Sequence, residues 1–340
     1  MKQTLFIRQL SDYFETHLPD VRHCSPNTIA SYADAFALLF QFMHEVQGVA
    51  HTRIDYKSFT PKVIESFILW LMRARNYSAA SVKQRISAIN SFMKYASRRE
   101  MSALSAYTTV SASETPRVIH APFPYFTLEE MKILLRLPDP SRKTEKRDLV
   151  LLSLFYDCGA RAQEICDLKV GDIRFSAVTK VKLLGKLNKT REVPISADVS
   201  RLLRYHLKEN GLDGQRNEPL FLSQLGEAMT TACIRNLVDK YVAKAKKAHP
   251  KLFTEPKYSP HSFRHSKAVH MVESGTQLIY IRDFLGHASI KSTEIYARIG
   301  QNALFKMLSE RGATAQRTTV EETSTDNTVY PEFLDRARHK

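Results

Sequence analysis

Residues 261–296 read HSFRHSKAVHMVESGTQLIYIRDFLGHASIKSTEIY. His261 and Arg264 stand three apart, so on a helix they share a face. A Gly286-His287 break follows, and Tyr296 stands alone on the next amphipathic segment. Two imidazoles, a guanidinium and a phenol on one compact helical hairpin suit a phosphate diester. The guanidinium grips the oxygens in two parallel hydrogen bonds, and the phenol can attack the phosphorus. His261, His265 and His270 could suggest metal ligands, but no acidic or cysteine partner stands close in sequence, and no metal site is expected.

Working outward, the chain of 340 residues is long enough for two domains with separate cores. It is 43% hydrophobic and 25% charged, which is ordinary for a globular protein. Its charge is not ordinary: 50 Lys+Arg against 35 Asp+Glu give a formal net charge of +15. Such an excess favours a polyanion, most simply nucleic acid, through phosphate contact and counterion release. Cys24, Cys158, Cys166 and Cys233 are scattered without a C-x-x-C pair, which argues against a disulfide framework or a structural zinc site. The N-terminal MKQTLFIRQLSDYFETHL is amphipathic and acid-bearing, hence a poor signal peptide. No apolar run reaches the length of a membrane span, so the expected location is cytoplasmic.

The fold class expected is mainly α with a small β-sheet. Residues 1–106 read as a helical bundle. Leu5, Phe6, Leu10, Tyr13, Phe14 and Leu18 recur at helical spacing; Ser25-Pro26 and Thr60-Pro61 each pair an N-cap with proline at the first helical position; Ser78 caps a last helix. Trp70 falls in an apolar run and is expected in the core. The last helix carries Lys83, Arg85, Lys94, Arg98 and Arg99, either as a solvated face or as a phosphate-contacting one. From 107 to 124 the chain is rich in Ser, Thr and Pro, and reads as a linker. Regular structure resumes at Thr127, with Glu130 three residues on as a capping box. Residues 125–311 alternate helices with two short strands, VKLLGK and REVPI, around a polar turn. Residues 312–340 read as a polar tail, flexible at first, whose Val329, Tyr330, Phe333 and Leu334 could form a docking element or remain disordered.

Phosphoryl transfer asks for an in-line nucleophile, positive charge on the non-bridging oxygens, and an acid for the leaving oxygen. The sequence has no paired carboxylates in a setting that suggests Mg²⁺, but it has arginines: Arg161 after a helix end at Gly159, and Arg264. Two guanidiniums converging on one phosphate would stabilise a pentavalent transition state.

In its order and spacing of motifs the chain resembles the tyrosine recombinases, also called phage-integrase-like or Xer-like recombinases. The residues that carry the resemblance are His-x-x-Arg at His261 and Arg264, the Gly286-His287 pair, Tyr296, the segment GARAQEICDLKVGDI and the hairpin VKLLGKLNKTREVPI. The resemblance implies an amino-terminal core-binding domain and a mixed α+β catalytic domain. It gives Arg161 and Arg264 the phosphate-clamping roles, Lys186 that of general acid toward the departing 5′ oxygen, His261 proton transfer at the tyrosine, His287 a hydrogen bond to the phosphate, and Tyr296 that of nucleophile. Lys189, in the same turn, competes with Lys186. Thr28, Ser31, Lys83 and Arg85 become candidate DNA contacts.

The implied activity is site-specific recombination through a 3′-phosphotyrosyl intermediate, with no cofactor. The implied substrate is double-stranded DNA with an inverted-repeat core site, acted on by a tetramer of this chain, with or without accessory proteins. A type IB topoisomerase, which rejoins the original ends, and a DNA-binding regulator that kept the fold and lost catalysis share the resemblance. The short helical bundle and the tail favour the recombinase over the first; the full set of six residues favours it over the second. Helix-forming sequence begins almost at Met1, so no arm-binding domain is expected ahead of the bundle.

Overall fold

Ser25, Thr60 and Ser78 open their helices as their neighbours dictate. Each hydroxyl accepts a hydrogen bond from the backbone N–H three residues on, at 3.3, 3.4 and 3.3 Å. Each thereby satisfies a donor that the first helical turn leaves free. A computed structural model of the chain describes residues 3–118, 123–185, 189–287, 289–290 and 292–297. It divides into two units, Met1–Ala121 and Pro122–Lys340.

The first unit is all helix: α1 Leu5–Asp12, α2 Pro26–Glu45, α3 Pro61–Arg73, α4 Ala79–Ser97 and α5 Ser102–Ala112. Helix α1 runs on through Tyr13–Val21 in wider turns with i→i+5 bonds, a winding that accommodates Pro19, which has no N–H to give. The core is aromatic. Phe6, Tyr13 and Phe36 all pack edge-on against Phe92, at ring separations of 5.3, 5.4 and 5.5 Å, a favoured geometry for aromatic pairs. Trp70 is half-buried on this core, against Phe42 and Phe67.

Helix α5 corrects the expected linker. It occupies 107–112 and buries Ala103, Ala106 and Val110 against α4. Its buried stripe is made of small residues, so in sequence it looks like Ser/Thr-rich loop. Thr108 donates its hydroxyl to the Leu104 carbonyl at 3.0 Å, a bond that lets a polar side chain stay in a helix.

The second unit begins with α6 Leu128–Arg136, whose Thr127/Glu130 capping box forms as expected: each side chain accepts the other's backbone N–H, at 3.2 and 2.8 Å. Then come α7 Lys143–Cys158, α8 Ala162–Cys166, three strands, α9 Ala197–Glu209, α10 Thr231–Ala248, α11 Pro260–Glu273 and α12 Leu278–Leu285; residues 292–297 are again helical. The strands β1 Ile173–Arg174, β2 Lys180–Leu184 and β3 Thr190–Pro194 form an antiparallel sheet in chain order. Val181 pairs with Val193 and Leu183 with Arg191. Val181, Val193 and Leu183 face the core, as period-two alternation requires. Strand β1 was not expected, because two residues carry no alternation to read. Helix α11 runs through the core, where Phe263 stacks on Phe155 at 5.1 Å.

Two histidines are locked into this core. His206 donates Nε2–H to the Leu220 carbonyl at 3.0 Å, and His270 meets the Tyr156 hydroxyl through Nδ1 at 2.8 Å. Burial, the largest cause for each, lowers both pKa values, that of His270 to about 4. Both are therefore neutral in the fold and take up a proton near pH 6.5 once unfolded. Below that value the unfolded state binds more protons, so stability falls as pH drops from about 6.5 toward 4. Carboxylates such as Glu164, whose pKa is lowered below 4.5, add their own loss only at the acid end of this range. The melting temperature of the second unit should accordingly fall between pH 7 and pH 5, and His270→Gln should flatten that dependence; calorimetry across this range checks both.

Candidate active site

The site starts where α7 ends. Gly159 sits in the left-handed region at φ +54°, and a Cβ there would stand 3.0 Å from Leu285 Cδ2 and 3.2 Å from Phe284 Cε1. Only glycine suits both the turn and the contact. The turn delivers Arg161 to the head of α8. There Arg161 donates its backbone N–H to Glu164 Oε2 at 2.7 Å and its guanidinium to Oε1 at 2.8 Å. Arg191 on β3 reaches the same carboxylate with two parallel bonds of 2.7 and 2.8 Å, and gives its Nε–H to the Phe284 carbonyl at 3.0 Å. Burial pushes the Glu164 carboxyl pKa up, but Arg191 and then Arg161 outweigh it, and the group stays ionised below its ordinary value. One buried carboxylate thus joins α8, β3 and the end of α12. The Gly286 turn closes over Arg191 so tightly that a Cβ would lie 2.9 Å from Arg191 Cδ.

Arg264 comes from α11, whose start is fixed by Pro260 and a Ser259/Ser262 capping box. It is 4% exposed. It donates to the Gly159 carbonyl at 2.8 Å and to the Leu285 carbonyl at 2.7 Å. These are the ends of α7 and α12, where helix dipoles place negative partial charge. Burial, then Arg161 and Arg191, push its pKa down to about 9, which leaves it a cation at neutral pH. His261, exposed one turn earlier on α11, is held below its ordinary pKa, first by desolvation and then by Arg264 and Arg161.

Tyr296 is 2% exposed, packed with Ala268, Val269, Ile281 and Leu285, and covered edge-on by Phe123 at 5.2 Å. Its phenol is held above the ordinary value by burial, while Arg264 and Arg161 pull it down. The hydroxyl meets His265 Nδ1 at 3.0 Å. Phe123 stacks on the other ring of this pair, His265, at 4.1 Å. The His287 ring lies nearly parallel to Tyr296 at 6.3 Å, with its Nδ1 bonded to Thr293 Oγ1 at 2.9 Å.

Arg161, His261, Arg264, His287 and Tyr296 all belong to the second unit, and each of the last four feels the charge of Arg161. Lys186 lies outside the described residues, as does the tail from 312. Sequence reading missed five contributors. Glu164 left a signal, since it stands three residues after Arg161 in a cap position. Arg191 left none beyond a charge on the strand. His265 stood out only as one of three histidines, and the phenol's hydrogen bond goes to it where the resemblance gave the tyrosine's proton transfer to His261. Thr293 lies on the same short helical segment as Tyr296. Phe123 lies inside the expected linker, whose end is corrected here: the residue packs in the second unit.

The candidate DNA contacts lie in the first unit. Thr28 and Ser31 are on α2, Lys83 and Arg85 on α4, and Gln84 joins the two helices by donating to Ser31 Oγ at 2.8 Å. Lys83 is exposed, while Arg85 stacks over Tyr77 at 5.0 Å.

Comparison with known proteins gives the chain a family. Residues 124–302 match the phage integrase family, and residues 12–100 match the phage integrase N-terminal SAM-like domain. The chain is 28% identical to the tyrosine recombinase XerC of Chlamydia caviae over 84% of its own length and 93% of the relative's. It is 29% identical to XerC of Myxococcus xanthus over 85% and 93%. Among solved structures, the XerH site-specific recombinase bound to palindromic difH substrate has a TM-score of 0.66 at 21% identity, over 88% of this chain and 84% of that one. A lambda integrase dimer bound to a core site gives 0.62 at 17% identity, over 85% and 76%. These two likenesses are likenesses of fold. The family match spans more than half of the chain, including Arg161, His261, Arg264, His287 and Tyr296, and the chain belongs to the phage integrase family, the tyrosine recombinases.

Proposed function

We propose that this tyrosine recombinase exchanges DNA strands at a specific site with Tyr296 as its nucleophile. The observation that carries the reading is the shared setting of the phenol and two arginines: Tyr296 is buried, yet Arg264 and Arg161 favour its anionic form. The same two cations suit the non-bridging oxygens of a phosphodiester, whose charge grows in the transition state. As the Tyr296 oxygen bonds to phosphorus, the P–O5′ bond breaks, leaving a 3′-phosphotyrosyl link and a 5′ oxygen protonated by Lys186. The 5′-hydroxyl of a second duplex then attacks the link, releases Tyr296 and regains a phosphodiester. The bond energy stays in the phosphotyrosine throughout.

Glu164 and Arg191 act as positioning residues, holding Arg161 and the Gly286-His287 turn. His261 and His287 contribute donors at the rim of the phosphate site. The helical first unit is the core-binding module, with Thr28, Ser31, Lys83 and Arg85 toward the duplex. Exchange between two duplexes needs four cuts, hence four copies of this chain on a site of inverted-repeat type, with or without accessory proteins; a cytoplasmic setting completes the reading. Among the described residues no helix is long and apolar enough to cross a membrane.

Tyr296→Phe should form no covalent adduct on a nicked duplex carrying the site, while still retaining that duplex in a gel shift; an adduct in this variant would sink the assignment. Arg264→Lys keeps the charge but replaces the planar fork whose two nitrogens meet the Gly159 and Leu285 carbonyls with a single ammonium nitrogen, so adduct formation should slow by roughly 10²–10³-fold with DNA retention little altered. Single-turnover cleavage measures the difference.

A further inference from the structure

The phenol of Tyr296 has an imidazole partner that is not among the six residues given catalytic roles by the family resemblance. We infer that His265 is the base that takes the Tyr296 proton as the phenol attacks, and the acid that returns it when the strand is rejoined. The inference rests on the reading of Tyr296 as nucleophile and moves to His265 the proton transfer that the resemblance gives to His261.

Two imidazoles, His265 and His287, stand at the phenol and a third, His261, stands beside His265; geometry separates them. His265 Nδ1 stands 3.0 Å from the hydroxyl, within the range for direct proton transfer. The Nδ1 of His287 is engaged by Thr293 at 2.9 Å. His261 lies a turn earlier on α11, its ring 6.3 Å from that of His265, and is exposed. Phe123 covers the His265 ring at 4.1 Å and the phenol at 5.2 Å, so the pair sits under one apolar lid. In the neutral ring the phenol O–H donates to an unprotonated Nδ1, with the ring's own proton on Nε2.

The charges around His265 suit the role. Burial, followed by His261, Arg264 and His287, lowers its pKa to about 4, so its lone pair is free at any physiological pH. Among the described residues Tyr296 itself is the remaining titratable group at the ring, and Phe123 is apolar. A phosphodiester held by Arg264 and Arg161 brings a negative charge that offsets the charge of Arg264 at His265. The basicity of His265 therefore rises when the scissile phosphate arrives, which is when the phenol must lose its proton. In the forward step the phenol O–H bond breaks, its proton goes to Nδ1, the oxygen's electron pair forms the O–P bond, and the P–O5′ pair leaves with the 5′ oxygen. In the reverse step the imidazolium returns the proton to the departing phenolate.

The alternative role for His265 is a latch that merely holds the phenol in its buried place, and the two differ in sign. Single-turnover adduct formation on a nicked duplex, followed from pH 5 to pH 9, decides. His265→Asn keeps a hydrogen-bond acceptor but cannot hold the proton, and His265→Ala opens a cavity for added imidazole. Both variants should lose roughly 10²–10⁴-fold at pH 7. Their rates should climb steadily with pH where the wild type is flat, and imidazole should restore part of the rate to His265→Ala. His261→Asn should keep the wild-type profile shape. DNA retention and melting temperature identify a variant that fails to fold; should His265→Ala do so, His265→Asn alone distinguishes base from latch. Rates at or above wild type in His265→Asn would establish the latch and overturn the inference, and so would a rising profile in His261→Asn instead. An adduct in Tyr296→Phe would instead overturn the nucleophile assignment, which separates the two failures.

Discussion

A cation that, among the described residues, is buried without a carboxylate of its own governs the second unit. Arg264 is closed in by the core and bonded to the terminal carbonyls of α7 and α12. Removing a guanidinium from water is expensive, and an interior supports it only where hydrogen bonds and opposing partial charges replace the lost hydration. Two helix C-termini supply that replacement here. The arrangement requires both helices to end at the same place, and each does so on a left-handed glycine, Gly159 and Gly286. The backbone around the site is therefore shaped by the need to solvate one side chain. What the carbonyls give is partial charge, which leaves a positive field of the kind the proposed phosphate site needs.

The second arginine is treated differently. Arg161 shares the Glu164 carboxylate with Arg191, and its side chain is 28% exposed. Two guanidiniums on one carboxylate leave a net positive charge at the pair. This division of labour suits an anion clamp: Arg264 is rigid and fixed by backbone, while Arg161 is oriented by a side chain and keeps part of its surface free. Glu164 also carries the constraint onward, because Arg191 donates to the Phe284 carbonyl just before the Gly286-His287 turn. The first arginine, the hairpin and the second histidine are thus mechanically one piece.

How much of this was legible depends on sequence distance. Caps at Ser25, Thr60, Ser78 and Thr127 could be read because the bond spans three residues and both partners are in view. Helix α5 was hidden because its buried face is alanine and valine among serines and threonines, so neither periodicity nor propensity marks it. Strand β1 was hidden by its length. Within the site, the residues to which the family resemblance gives contact with the phosphate were visible by type and order. Of the residues that orient them, Glu164 left a local trace beside Arg161, but its partner Arg191 is 27 residues on, and His265 and Tyr296 are 31 apart. Nothing local distinguishes a strand arginine that binds a buried carboxylate from one that faces water.

Tyr296, the proposed nucleophile, is held chiefly by apolar packing, with few polar ties. A phenol needs both an apolar setting, which keeps its proton on at rest, and cations near enough to favour the phenolate during attack. Tyr296 has both: burial raises its pKa while Arg264 and Arg161 lower it. The segment 292–297 is tied to the site by Thr293, fully buried and bonded to His287, and by the Tyr296–His265 bond. Both ties are single hydrogen bonds, each worth about 1 kcal/mol net. Because the Tyr296–His265 bond is also the path by which the phenol would lose its proton, the contact that orients the phenol at rest would be kept as it turns toward a phosphorus.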